Sequence, residues 1–170
     1  MSAINDVSNT YIAELTARSP MMATYLGLPG GEDRLDDLSP DGLAEGNRLV
    51  TRTLAALVAA ESAGVKDDVA RSVLAERLEV EHDLYDSGWA HATLNVIASP
   101  LQEVRLVFDL MPNESDDDVA VLTRRMAAVP KTGSGRTGRS ARPARLPWPM
   151  SRRLGPRMGL FSPVLYGGKL

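Results

Sequence analysis

At 170 residues, 44% hydrophobic but only 5% aromatic, the chain is long enough for one packed domain. Its interior has to be built from Leu, Val, Ile, Ala and Met, which favours helix packing over a β-sandwich. The absence of cysteine excludes a disulfide framework, a thiolate zinc site and a cysteine nucleophile. The net charge of −3 conceals two kinds of polypeptide: residues 1–130 hold all 22 acids against 10 bases, whereas residues 131–170 hold 9 bases and no acid.

The polar start, MSAINDVSNTYIAEL, has neither a basic segment nor an uninterrupted apolar one, so it does not read as a secretory signal. No run approaches about 18 apolar residues; no membrane span is expected, and a cytoplasmic location is the default. From Ser2 to Arg18, the residues Ile4, Val7, Tyr11, Leu15 and Arg18 recur at steps of three or four with Ile12 beside them, the pattern of an amphipathic helix. Ser19-Pro20 then reads as an N-cap followed by proline at the first helical position, opening a short turn through Met21, Met22 and Tyr25. Gly27, Pro29, Gly30 and Gly31 end it, and Glu32 to Leu38 form an acidic loop.

Ser39-Pro40 repeats the start signal, with Asp41 near the positive end of the helix dipole. The helix it opens is expected to run to about Gly64, with Leu43, Leu49, Val50, Leu54, Leu57 and Val58 inward. A partner helix from about Asp67 to Ser87 places Val69, Val73, Leu74, Leu78 and Leu84 inside, with Gly88 as its C-cap. The short connection between the two predicts an antiparallel hairpin. Trp89 to Ala98 reads as a packed connector, and Ser99-Pro100 starts a helix through Leu101, Val104, Val107 and Phe108 that Met111-Pro112 stops. Ser115 and Asp118 have capping-box spacing, followed by a stripe of Val119, Leu122, Met126 and Val129 that Pro130 ends. From Lys131 to Leu170 the chain holds 7 Gly and 5 Pro; such composition buries too little surface to offset its ordering entropy, so a disordered basic tail is expected.

Several clusters resemble sites and have a plainer reading. Glu79, His82 and Asp86 lie within helical reach of one another, but with one imidazole among them a solvated helix face explains them. His91 follows an apolar Trp-Ala pair and reads as a capping or packing residue. Asp116, Asp117 and Asp118 suit a helix N-terminus, where carboxylates meet unpaired N–H groups; the glycine and bidentate Glu of an EF-hand are missing. Gly133 to Ser140, GSGRTGRS, has Arg139 where a phosphate-binding loop needs lysine, and prolines follow where its helix belongs. The tail's Arg residues with Trp148, Phe161 and Tyr166 suit a salt-sensitive acidic partner, for which the acidic body of the same molecule is more economical than nucleic acid. No His-Glu-Xaa-Xaa-His segment occurs. No catalytic, cofactor-binding or metal residue is therefore assigned.

Leu94 to Pro130, LNVIASPLQEVRLVFDLMPNESDDDVAVLTRRMAAVP, resembles the bacterial family known as domain of unknown function 885. Its most specific part is Ser99-Pro100-Leu101-Gln102 with Phe108-Asp109-Leu110-Met111-Pro112; Tyr11, the segment PMMATYLG and Asp37-Leu38-Ser39-Pro40 agree with that family's opening. The resemblance covers about residues 1–130. It implies a much longer, almost wholly helical protein similar to zinc metallopeptidases, whose His-Glu and Pro-Gly-His-His metal motif lies beyond the equivalent of Pro130. No position here matches that motif, so zinc is implied for the full-length family and not for this chain. Residues 131–170 have the composition that a shifted frame of a GC-rich gene produces.

Together these point to an all-α fold of about five amphipathic helices in an irregular bundle over residues 1–130, followed by the tail. The function they suggest is the non-catalytic N-terminal part of a peptidase-like protein, with a small helical binding protein carrying a basic tail as the alternative. Standing alone, such a part leaves an apolar face uncovered and open to self-association.

Overall fold

In a computed structural model, residues 2–92 and 99–132 are described. Over them the chain forms α1 (Ala3–Arg18), α2 (Pro20–Tyr25), α3 (Pro40–Ala59), α4 (Val65–Asp86), α5 (Trp89–Ala92), α6 (Pro100–Asp109) and α7 (Asp116–Thr132). The all-α expectation holds. The number of helices among the described residues rises to seven because the six-residue α2 and the four-residue α5 stand by themselves. None of these helices is long and apolar enough to cross a membrane.

Serine hydroxyls cap α1, α2, α3 and α7; α4 starts after Gly64 without a side-chain cap, and before α6 the Ser99 hydroxyl donates to Gln102 Oε1 and makes no cap hydrogen bond. Ser2, Ser19 and Ser39 accept hydrogen bonds from the backbone N–H groups of Asn5, Met22 and Gly42, satisfying donors that a first helical turn leaves unpaired. Ser115 and Asp118 form the reciprocal box: the N–H of Asp118 donates to Ser115 Oγ at 3.1 Å and the N–H of Ser115 donates to Asp118 Oδ2 at 3.0 Å. The aspartate, though shorter than the usual Glu, reaches.

α1, α3 and α4 enclose the larger core of Ile4, Tyr11, Leu49, Val50, Leu57 and Leu78. Asn47 early in α3 meets His82 late in α4, while Ala60 just past α3 meets Arg71 early in α4, so the pair runs antiparallel. α3 stops at Ala59, short of Gly64, because Ala60 turns extended. Groups from α4 then take over the freed backbone: the Arg71 guanidinium donates to the Ala60 carbonyl, and the N–H of Ala63 donates to Asp67 Oδ2 at 3.0 Å. Asp67 also accepts from Ser2 Oγ at 2.9 Å, tying the start of α1 to that turn.

A smaller core joins Met21 of α2 with Val104 and Val107 of α6, flanked by Leu35, Leu38 and Phe108. Between the two cores, Arg18 lies across α3 and donates to the Gly42 carbonyl at 2.6 Å. A Cβ on Gly42 would stand 2.0 Å from the Asp37 carbonyl oxygen; this approach of backbone to backbone is open to glycine alone.

Four expectations are corrected, two of them about which face is buried. Val58 of α3 is 84% exposed and Val69, Val73 and Leu84 of α4 point outward, since α1 and α3 lie only on the Leu74–Leu78 side of α4. On α7, Val119, Met126 and Val129 are exposed, and the inward positions are Arg125 and Thr132 with half-buried Val121 and Ala128; the buried face is turned from the predicted stripe by about one 100° residue step. Trp89 to Ala92 has no buried residue and so is not a packed connector; residues 93–98 lie outside the described residues. Finally, α7 passes through Pro130 to Thr132. A proline this close to a C-terminus forfeits one helical hydrogen bond, and the N–H of Leu38 secures the last turn by donating to the Thr132 carbonyl at 3.2 Å.

Candidate functional site

The most constrained polar group is Arg125, which is wholly buried. α7 carries it into α2, where Nη1 donates to Thr24 Oγ1 at 2.9 Å and Nη2 donates to the Pro20 carbonyl at 3.2 Å. Nε is buried with no hydrogen-bond partner among the described residues. Burial holds the guanidinium below its usual pKa, opposed by the charges of Asp36, Glu32 and Asp33. Asp36 holds the N-terminal end of the same short helix, accepting from Ser19 Oγ at 2.5 Å and from the N–H of Met21 at 2.9 Å. α2 is thus clamped at its N–H groups by a carboxylate and at its first carbonyl by a cation. The sequence signal was present but weak: Val121, Arg125 and Ala128 share a helical face that the longer Val119 stripe outweighs.

Of the carboxylate-histidine candidates, the fold brings two together. His82 Nε2 is 3.5 Å from Asp86 Oδ2, and Nδ1 is 2.9 Å from Asn47 Oδ1. Glu79 does not join them; among the described residues no three His, Asp or Glu groups converge as metal donors. One imidazole nitrogen is engaged by an amide and the other faces a single, largely exposed carboxylate, so these residues do not form a zinc donor set. His91 lies on α5 with its ring 5.5 Å from that of Tyr85, tilted by 56°. Asp116, Asp117 and Asp118 occupy the first turn of α7, and the hydrogen bonds from Ser115 hold the Asp118 carboxyl below its ordinary pKa. The GSGRTGRS segment and Trp148, Phe161 and Tyr166 lie outside the described residues.

Among the described residues, two clefts stand out. One of about 220 Å³ is lined by Glu32, Asp33, Pro112, Asp118, Val121 and Arg124. The other, about 330 Å³ between α1 and α3, has Tyr11 and Thr53 in its wall and the 2.9 Å Arg52–Glu14 ion pair beside it. The Tyr11 hydroxyl is pushed up to about 12 by burial, with the Glu81 carboxylate adding to the effect, and a phenol held neutral in this way is a poor proton donor at neutral pH. In these clefts Asp118 caps the start of α7, Glu32 accepts from the N–H of Gly30, and Arg52 pairs with Glu14.

No curated protein matches the chain. The family profile described as "Bacterial protein of unknown function (DUF885)" matches residues 20–150, from the first residue of α2 to beyond the end of α7. The chain therefore belongs to this bacterial family of unknown function.

Proposed function

We propose that this chain is the helical, non-catalytic N-terminal part of a longer peptidase-like protein, interrupted ahead of the metal motif, with the shift of frame set after residue 150, where the profile match ends, and not at residue 131 as composition suggests. The observation that carries this reading is the outer face of α7. Val119, Leu122, Met126 and Val129 recur at helical spacing, yet Val119 is 49% and Met126 56% exposed while Arg125 occupies the inward side. Leu106 of α6 and Leu110 at its C-cap are likewise about half exposed. Apolar stripes of this spacing are the surfaces on which further helices pack. In the longer protein, succeeding helices cover them, and the zinc chemistry resides in those helices.

The DNA that encodes and follows this chain tests the reading. Another frame opening beyond the codon for residue 150, where the family match ends, is expected to encode amphipathic helices and then a His-Glu and Pro-Gly-His-His segment. Joining that frame should protect the outer face of α7 in hydrogen exchange and give a protein that binds zinc. If no frame carries helical periodicity or the motif, the reading fails.

The charge division favours one second reading, a small helical binding protein whose basic tail holds an acidic partner. It requires salt-dependent retention of the whole chain on an anionic matrix, lost on deleting residues 131–170. Retention unchanged by that deletion excludes it.

A further inference from the structure

α4 has two apolar faces, and the larger core uses one. Ala70, Leu74 and Leu78 pack toward α1 and α3; on the opposite side Val65, Val69, Val73, Val80 and Leu84 are 79%, 58%, 64%, 46% and 41% exposed. β-Branched residues lower helix propensity and gain nothing at solvated positions, so this run is explained by a surface that covers it.

We infer that the outer face of α4 docks a second copy of this chain, as an antiparallel α4–α4 pair about a two-fold axis between Leu74 and Ala75. Lys66, Val69, Val73, Glu76, Val80 and Asp83 alternate at spacings of three and four, the seam of a two-helix coiled coil. An isologous contact requires that each residue meet its mate twice. In this register Val69 falls opposite the second copy's Val80, Val73 opposite its Glu76, and Lys66 opposite its Asp83. The charges at the two ends are complementary, and Lys66 and Asp83 are both exposed. The parallel alignment sets Lys66 on Lys66, Glu76 on Glu76 and Asp83 on Asp83, so charge selects the antiparallel one. Glu76 lays its methylenes along the neighbouring Val73 and carries its carboxylate to the solvated edge. The contact goes beyond the proposed function and uses none of the α7 face, which remains open to other helices.

Sedimentation equilibrium of the full chain tests the pairing. A monomer–dimer equilibrium is expected, weakened roughly tenfold or more by Val73→Glu, which sets a carboxylate against the second copy's Glu76, with an unchanged circular dichroism spectrum. Lys66→Asp alone should weaken it by opposing two carboxylates, and adding Asp83→Lys in the same chain should restore it; these exposed positions decide the matter even if Val73→Glu fails to fold. Because the chain has no cysteine, a Val69→Cys chain mixed with a Val80→Cys chain should oxidise to the mixed disulfide in preference to either homodimer. The inference is overturned by a chain that stays monomeric up to millimolar concentration, by a disulfide that forms between two Val69→Cys chains instead, or by a dimer that survives charge reversal and is lost in Met126→Lys.

Discussion

Arg125 and Thr24, 101 residues apart, are joined by a 2.9 Å hydrogen bond from the guanidinium Nη1 to the hydroxyl Oγ1. It fixes α7 against α2 through a cation that is wholly buried and has no carboxylate within ion-pair distance among the described residues. Thr24→Val keeps the side chain's shape and leaves a buried, charged N–H unpaired, for an expected loss of about 1–3 kcal/mol. In an Arg125→Met background the same change should be nearly neutral, because no donor is stranded. Urea unfolding of the four proteins measures the coupling; equal losses in both backgrounds would show that the bond does not hold the helices together.

Two glycines of α3 should respond in different ways. Gly42→Ala drives a Cβ onto the Asp37 carbonyl at 2.0 Å, which backbone cannot yield without shifting. A net loss of roughly 1–3 kcal/mol is expected, despite the gain in helix propensity. Gly46→Ala meets only the tip of the Arg18 guanidinium at 3.2 Å. That flexible group can move aside, so the change should lie within about 1 kcal/mol of neutral. Thermal unfolding of the two variants ranks them, and a Gly42→Ala protein as stable as the parent would contradict the close approach.

Tyr11 gives a pH dependence of known sign. Its pKa is raised from 10.0 to about 12, mainly by burial, so between those values the folded chain holds a proton that the unfolded chain releases. The contribution is complete below pH 10 and is lost as pH rises toward about 12. Tyr11→Phe should flatten the fall in stability over that window relative to the parent. Parallel stability curves for the two proteins would remove Tyr11 from the account.

Zinc binding is expected to be absent at stoichiometric level in the purified, dialysed chain. His82 is engaged by Asn47 and Asp86, and Glu79 lies outside that group. Elemental analysis of parent and His82→Ala decides. One zinc per chain, lost in the variant, would restore the Glu79, His82 and Asp86 face as a metal site.

Sequence alone determined what depends on neighbours within a turn of helix. The starts at Ser19-Pro20 and Ser39-Pro40 and the reciprocal cap of Ser115 and Asp118 were legible because a cap is a contact over two or three residues. The all-α class followed from periodicity, and the family from the segment around Ser99 to Pro112, within the span its profile matches. Tertiary structure decided which apolar face is buried. α4 and α7 each present two candidate stripes, and periodicity weighs hydrophobicity without knowing where the neighbouring helices stand. Arg125 went unforeseen for the same reason: a cation is buried only where another element supplies acceptors, here the Thr24 hydroxyl and the Pro20 carbonyl, more than 100 residues away. The end of α3 and the passage of α7 through Pro130 were set likewise by distant groups, the Arg71 guanidinium and Asp67 carboxylate in one case and the N–H of Leu38 in the other. Where a helix begins is a local matter in this protein; where it ends and which way it faces are settled by what packs against it.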